Sequence, residues 1–153
     1  MRASDGDPEY TINYVEAHDN YPIWDQFEKN QNHGINAPDY RKNVPDNAFT
    51  DMRVRKALLA NAFVMLSQGI PFYQGGSEIL RTKQGDHNSY KSSDETNDFD
   101  WGDKAEFSEV FDYYKGLIEF RKAHPAFRLT NADSVKESQD VNRLNNDDSL
   151  IFQ

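Results

Sequence analysis

The chain contains no cysteine, so disulfide bonds and thiolate metal ligands are excluded, although this absence leaves the cellular compartment open. It also has no apolar run that approaches the roughly 20 residues of a membrane-spanning helix. Basic residues are few, since 17 lysines and arginines stand against 26 aspartates and glutamates, and the net charge is −9. No basic cluster stands out, so a nucleic-acid backbone is not the expected partner, whereas a neutral substrate tolerates such an acidic surface.

The composition favours a folded chain with a core. Hydrophobic residues make up 37% and charged residues 28% of the 153 residues, which suits one modest domain or a piece of a larger one. Aromatic residues reach 13%. Rings most often fill cores, but they also line sugar-binding sites, where they meet the C–H faces of pyranoses.

Hydrophobic periodicity divides the chain into alternating strands and helices. The predicted elements are a strand at 10–17, a helix at 51–68, a strand at 70–74, a helix at 107–124 and a strand at 149–153. Long polar stretches at 20–47 and 77–104 follow the first two strands, and loops of such length are usually functional.

The helix at 51–68 is predicted to be buried on most of its surface. One stripe of it is widened by a second, so that little of the helix can face water. The first stripe consists of Val54, Leu58, Ala62 and Met65, and the second of Leu59, Phe63 and Leu66.

Alternation of strands and helices predicts an α/β fold with parallel strands. In a (β/α)8 barrel the loops that follow the strands carry the chemistry, and both long loops here follow strands. A complete barrel needs about 250 residues, so two βα units amount to about a quarter of one.

The first candidate site is the His18-Asp19-Asn20 run at the end of the first strand. Adjacent side chains on a strand alternate faces, so Asp19 shares a face with Val15 and Ala17, and the turn that follows can bring His18 alongside. A carboxylate and an imidazole at one strand mouth can bind sugar hydroxyls and stabilise positive charge. The run is also compatible with a capping aspartate beside a structural histidine.

The second candidate site is the loop at 85–101, which contains Asp94, Asn97 and Trp101. Here short hydrogen-bonding side chains alternate with rings, a mixture that suits carbohydrate but also suits an exposed loop rich in turns. The remaining histidines show no metal-ligand spacing, and there is no EF-hand or phosphate-binding glycine loop. We therefore predict no metal site and no cofactor.

Four segments in consistent order resemble the α-amylase superfamily of glycoside hydrolases, family 13. Residues 12–20 resemble its last sequence signature, at the end of the seventh barrel strand, and residues 69–78 resemble the eighth strand and its exit. More narrowly, residues 85–101 resemble the type I pullulanase branch, which cleaves α-1,6 links, and residues 113–127 are similar to the eighth barrel helix of that branch.

The resemblance implies roles for residues that match the family's motifs. Asp19 matches the carboxylate that stabilises the transition state, and His18 matches the imidazole that binds sugar hydroxyls at the cleavage subsite. Asn20 is the adjacent matching position, and Asp94 and Asn97 match positions that contact further glucose units. The implied substrates are pullulan, amylopectin and limit dextrins, cleaved with retention of configuration.

The family places its nucleophilic aspartate after the fourth strand and its acid/base glutamate after the fifth, and neither segment is found in these residues. The resemblance thus implies the C-terminal portion of a TIM barrel over residues 1–125, with strands seven and eight and their helices. Residues 126–153 are then the start of an all-β C-terminal domain. A chain of this kind is expected to be inactive by itself.

Besides an α/β domain with no glycan role, two other hypotheses remain open at this point. One is another branch of the superfamily, either isoamylase or an amylase that acts on α-1,4 links. The other is a glucan-binding remnant without catalysis, whose affinity for maltooligosaccharides is lost on Asp94→Ala and Trp101→Ala. The second conflicts with the unpaired strand edges that two βα units leave, because such edges favour aggregation.

Overall fold

The computed structural model describes residues 6–31, 44–138, 141–143 and 150–152. Their helices are α1 (Ile23–Gln31), α2 (Met52–Leu66), α3 (Asp94–Asn97), α4 (Asp103–Glu106), α5 (Ser108–Ala123) and α6 (Ala132–Ser138). Their strands are β1 (Ile12–Asn13), β2 (Ile70–Pro71), β3 (Val141–Arg143) and β4 (Leu150–Phe152). Helix thus dominates the described part, and each of its two sheets has two strands. No helix in the described ranges is both long and apolar enough to cross a membrane.

Helix α2 begins and ends where its sequence directs. The Asp51 carboxylate accepts a hydrogen bond from the Arg53 backbone N–H at 2.7 Å and caps the first turn. Gly69 lies beyond the end with φ 95°, and a Cβ there would lie 2.7 Å from the Thr11 carbonyl oxygen, so glycine is required. The predicted helix at 51–68 is confirmed with slightly tighter bounds.

The core lies where α2 and α5 pack together, joined by the first turn of α1. It holds Trp24, Ala48, Val54, Leu58, Leu80, Phe107, Val110 and Tyr114. The second predicted stripe of α2 is wrong in part, because Leu59 is 58% exposed and Phe63 is also exposed. Only one side of α2 is covered by described residues, which leaves these two side chains in water.

Arg121 ties α5 to the end of α2. Its guanidinium donates to the carbonyl oxygens of Met65, Ser67 and Gly69, each at 2.7 Å. These carbonyls lie at or beyond the C-terminus of α2, where helical partners run out, so a buried cation satisfies them.

Strands β1 and β2 form a parallel pair with Ile12 opposite Ile70 and Asn13 opposite Pro71. They are shorter than the strands predicted at 10–17 and 70–74. A 3-10 turn at Pro8–Tyr10 precedes β1, and each strand has one paired edge among the described residues. The pairing of the two strands extends over two residues, and the predicted parallel direction is confirmed.

Three regions predicted to lack helix contain one, and in the polar stretch at 77–104 it is the short α3 together with the start of α4. Helix α1 lies inside the polar stretch at 20–47, where its Trp24 is buried against α2, and residues 32–43 of that stretch lie outside the described ranges. Helix α6 lies inside the region from residue 126 that was predicted to be β-like. Strands β3 and β4 follow it as an antiparallel pair, with Val141 opposite Phe152.

Candidate functional site

The site is built on the segment that links β1 to α1, and its foundation is Glu16. This side chain is 3% exposed and accepts hydrogen bonds from the Ile23 backbone N–H at 2.7 Å, from Asn61 Nδ2 at 3.2 Å and from Ser77 Oγ. It thereby joins the end of β1 to α1, to α2 and to the turn after β2. Burial raises the pKa of the Glu16 carboxyl, and these three donors oppose the rise.

His18 and Asp19 follow Glu16 in the chain and are exposed to solvent. Their side chains are 86% and 81% exposed, and His18 Nε2 lies 3.5 Å from Asp19 Oδ1. His18 is the near polar neighbour of the Asp19 carboxylate, and the Lys83 ammonium also interacts with it electrostatically. The carboxylate therefore retains most of its hydrogen-bonding capacity for a ligand.

Asn20 completes the turn with a left-handed backbone, φ 65°, a conformation that asparagine tolerates better than most residues. Its backbone N–H donates to the His87 carbonyl oxygen at 3.1 Å. The turn is thus tied to the second polar loop directly after Asp19.

A second buried carboxylate, Asp25 on α1, holds that second loop. Asp25 is 0% exposed and accepts from Thr82 Oγ1 at 2.6 Å, from the Lys83 backbone N–H at 2.8 Å and from the Gly85 backbone N–H at 3.2 Å. Burial raises the pKa of the Asp25 carboxyl, and the three donors oppose the rise. From the same loop the Lys83 ammonium donates to the His18 carbonyl oxygen at 2.6 Å.

Asn97 and Asp94 differ in how they sit in the second loop. The Asn97 amide nitrogen donates to the Ser89 carbonyl oxygen at 2.7 Å, so this nitrogen holds the loop together. Asp94 is exposed on the first turn of α3. Beyond α3 the rings of Phe99 and Trp101 stack at 5.7 Å between centroids, with Trp101 exposed.

A cleft of about 280 Å³ lies between the turn at 18–20 and the polar loop at 77–104. Its lining consists of His18, Asp19, Gln74, Arg81, Lys83, His87, Asn88, Ser89, Tyr90 and Asn97. Three of the five residues singled out from the sequence therefore meet in one place. Asp94 is not part of this lining, and Asn20 lines a neighbouring hollow of about 480 Å³, which Asp19 also borders.

The cleft suits a neutral ligand with many hydroxyl groups. It combines a carboxylate, imidazoles, amides and cations, which can each donate to or accept from a hydroxyl, with the exposed ring of Tyr90. In the described ranges no group of three or more His, Asp or Glu side chains is placed to hold a metal ion.

Sequence reasoning missed Glu16, Asp25 and Lys83 as parts of the site. Each is a charged residue with an exposed fraction of 4% or less. A charged residue beside an apolar run, as Glu16 is beside Val15, was the signal available. Its meaning depends on partners such as Asn61 and Ser77, which lie 45 and 61 positions away.

The chain is similar in sequence to pullulanases and isoamylases. No family model matches the chain. The pullulanase of Bacillus subtilis is 41% identical over 130 residues, which are 85% of this chain and 16% of that protein. The isoamylase of a Flavobacterium species is 32% identical over 141 residues, which cover 86% of this chain and 18% of that protein.

A solved structure agrees with these sequence matches. The pullulanase of an Anoxybacillus species, crystallised with maltotetraose, superposes with a TM-score of 0.75 at 38% identity, over 91% of this chain and 18% of that one. The chain thus spans less than a fifth of the length of the relatives it matches.

Proposed function

This chain is a relative of the pullulanases and isoamylases, and on that premise we propose that it forms part of a glycoside hydrolase that removes branches from α-glucans. The bond cleaved is the α-1,6 link of pullulan, amylopectin and limit dextrins. The observation that carries the proposal is the exposed His18–Asp19 pair, which the fold presents in a cleft together with Asn97.

In this proposal Asp19 is the carboxylate that stabilises the transition state. Glycoside hydrolysis passes through an oxocarbenium-like state that carries positive charge, and a fixed carboxylate near that charge lowers its energy. His18 lies beside Asp19 and binds sugar hydroxyls. The reaction retains the configuration at the anomeric carbon. The nucleophilic aspartate and the acid/base glutamate are supplied by segments of the enzyme other than this chain.

The remaining substrate contacts come from the second loop and the turn. Asp94, exposed on α3, binds a glucose unit beyond the cleavage subsite, and Asn20 contacts sugar beside Asp19. Asn97 has its amide nitrogen committed to the Ser89 carbonyl, which leaves its amide oxygen for the ligand. The maltotetraose held by the Anoxybacillus relative is a ligand of the corresponding chemistry.

The proposal extends to the fold, in which β1 and β2 are the seventh and eighth strands of a (β/α)8 barrel. Ile12 and Tyr14 share one face of the sheet with Ile70 and Phe72, and all four are exposed. Asn13 points to the opposite face, where it donates to the Gln68 carbonyl at the end of α2. An apolar face turned away from the helices is what the interior of a barrel requires.

The domain boundary is proposed at residue 125, where Pro125 follows the end of α5. Residues 1–125 then belong to the barrel and residues 126–153 begin an all-β domain. The antiparallel β3–β4 pair supports this assignment, while α6 makes the start of that domain less purely β than predicted.

The test is a hybrid enzyme, meaning the Bacillus subtilis pullulanase with the segment that matches this chain replaced by this chain. We expect the hybrid enzyme to cleave pullulan and to leave unbranched amylose intact, and the isolated chain to cleave neither. Amylopectin distinguishes a preference of the isoamylase kind, since cleavage of amylopectin without cleavage of pullulan would move the assignment to that branch.

The control is the unmodified pullulanase, with circular dichroism showing that both proteins fold. A folded hybrid enzyme that releases no sugar from pullulan or amylopectin would contradict the proposal. Turnover of pullulan by the isolated chain would contradict the division of catalytic residues. Binding of maltotetraose by a hybrid enzyme that cleaves neither pullulan nor amylopectin would favour a glucan-binding remnant instead.

A further inference from the structure

We propose that Lys83 is a positioning residue whose ammonium holds the peptide between His18 and Asp19 and so fixes the Asp19 carboxylate in the cleft. The inference rests on the proposed function for its catalytic consequence, whereas the positioning itself rests on contacts of this chain.

Lys83 is a buried lysine in the loop at 77–104. The residue is 4% exposed, and a lysine is rarely buried unless its ammonium has a partner. The Nζ atom lies 2.6 Å from the His18 carbonyl oxygen, which is the distance of a charge-assisted hydrogen bond. Loss of solvent lowers the pKa of Lys83, and the neighbouring Arg81 charge lowers it further, while the carboxylates of Asp86, Asp19 and Asp25 oppose this fall.

The backbone of Lys83 is itself held in place by Asp25. Asp25 accepts from the Lys83 and Gly85 backbone N–H groups, and the loop then reverses through Gln84 and Gly85, whose φ angles are 53° and 75°. Since Asp25 belongs to α1, the helix that follows the turn, the loop is fixed to the same element that the turn leads into. Lys83 therefore reaches back to His18 from a rigid base.

The hydrogen bond from Lys83 to His18 lies directly beside Asp19 in the chain. The carbonyl that Lys83 holds belongs to the peptide directly before Asp19, and Lys83 and Asp19 both line the cleft. On the other side of Asp19 the Asn20 N–H is held by the His87 carbonyl. The peptide groups on both sides of Asp19 are therefore held by hydrogen bonds, while its carboxylate is exposed. Without the ammonium one of these ties is lost while the other remains, so we expect a loosened turn in a folded protein.

The test compares Lys83→Met, which keeps the buried stem but lacks the donor, with Lys83→Arg, which keeps charge and donor. Lys91→Met is the matched control, because Lys91 is an exposed lysine of the same loop and is not part of the cleft lining. Backbone nuclear magnetic resonance of the full chain reports the His18 carbonyl and the Asp19 and Asn20 amides. Steady-state kinetics on pullulan with the same variants in the hybrid enzyme report the catalytic consequence.

We expect Lys83→Met to shift the His18 carbonyl and Asp19 amide resonances, with most others unchanged, and to lower kcat by about ten- to a hundredfold with KM within about threefold. Lys83→Arg should restore at least part of kcat, and Lys91→Met should change neither readout. Unchanged resonances at His18 and Asp19 in Lys83→Met, or equal loss of kcat in Lys83→Met and Lys83→Arg, would overturn the inference. A hybrid enzyme inactive without any substitution would overturn the proposed function, and the resonances of the chain would still decide the role of Lys83.

Discussion

Two kinds of carboxylate lie within a short stretch of this chain, and the fold treats them in opposite ways. Glu16 and Asp25 are 3% and 0% exposed, and each accepts hydrogen bonds from three donors. The Asp19 side chain is 81% exposed and has His18 as its neighbour. The buried pair joins β1, α1, α2 and the loop at 77–104, whereas among the described residues the Asp19 side chain pairs with the adjacent His18.

This difference separates stability from function along the sequence. A buried carboxylate is tolerated only when its oxygens are satisfied, so the protein organises donors from remote segments around Glu16 and Asp25. The result is a rigid base beneath a turn whose exposed carboxylate keeps its capacity for a substrate. Substitution of Glu16 or Asp25 should therefore affect folding, whereas substitution of Asp19 should affect the reaction.

The largest effect is expected for Asp19→Asn in the hybrid enzyme. Removing the charge that faces the oxocarbenium-like state should lower kcat on pullulan by about a hundred- to a thousandfold, while the urea midpoint of the isolated chain stays unchanged. Asp112→Asn, at an exposed position on α5, is the matched control and should leave both values alone. A loss of kcat below tenfold, or a clear fall in the urea midpoint, would erase the contrast between Asp19 and the buried pair.

The next effect is expected for Glu16→Ala, and it falls on stability. The change leaves the buried Ile23 N–H without its acceptor, so the free energy of unfolding should fall by about 2 kcal/mol. Ser77 Oγ and Asn61 Nδ2 each lose one acceptor but keep the Gln74 carbonyl and the Tyr114 hydroxyl. Urea unfolding of the isolated chain measures the fall in stability, with the exposed Glu119→Ala as control. Equal stability of the Glu16→Ala and Glu119→Ala variants would show that the Glu16 network does not hold the fold.

The pH dependence of Glu16→Gln sharpens the same contrast. Burial raises the pKa of Glu16 above 4.5, so the stability that it contributes is fully present below that value and is lost as the pH rises through the folded-state pKa. Glutamine does not titrate, so the stability advantage of the unsubstituted chain over Glu16→Gln should shrink between pH 4 and pH 7. An advantage that grows over this interval would mean that the pKa of Glu16 is lowered by folding.

A smaller effect tests the proposed barrel through Tyr14→Ser. In the isolated chain Tyr14 is exposed and packs edge-on against Phe72, with 6.1 Å between the ring centroids. The free energy of unfolding should therefore fall by less than about 1 kcal/mol. In the hybrid enzyme the same ring should lie in the barrel interior, where its loss costs about 2 kcal/mol or more. Thermal unfolding of both proteins decides this, and equal small effects would leave the exposed face of the β1–β2 sheet outside any barrel.

The smallest effect concerns Asp94→Ala and Asn97→Ala in the hybrid enzyme. Asp94 is exposed, so its loss should raise KM for pullulan about three- to tenfold with no change in the unfolding midpoint. Asn97 also holds the Ser89 carbonyl, so Asn97→Ala should raise KM and lower the midpoint together. Glu95→Ala, beside Asp94 on α3, serves as control, and an unchanged KM in Asp94→Ala would remove that residue from the site.

The sequence was sufficient for elements that rest on local periodicity. Helix α5 was predicted within one residue, because Val110 and Tyr114 mark its buried side and Pro125 follows its end. Helix α1 was missed because its few apolar residues, Ile23, Trp24 and Phe27, lie in an otherwise polar stretch, although they share one side of the helix. Its start is fixed instead by the Glu16 carboxylate, which accepts from the Ile23 N–H seven residues along the chain.

The candidate site divides in the same way. His18, Asp19 and Asn20 are adjacent in sequence, so their common location needs no knowledge of the fold. Lys83 reaches His18 across 65 positions, and no local pattern announces such a contact. The exposed Leu59 was mispredicted for a related reason, since periodicity marks an apolar side chain but not whether described residues cover it.

The most direct test of the account is a crystal structure of the hybrid enzyme with maltotetraose bound. We expect a glucose ring in the cleft between the turn at 18–20 and the loop at 77–104, with the Asp19 carboxylate and the His18 imidazole in hydrogen-bond contact with it. We also expect Glu16 and Asp25 to keep their hydrogen-bond partners. A glucan bound elsewhere on this segment, with Asp19 still facing only solvent and His18, would contradict the assignment of this turn as part of a debranching site.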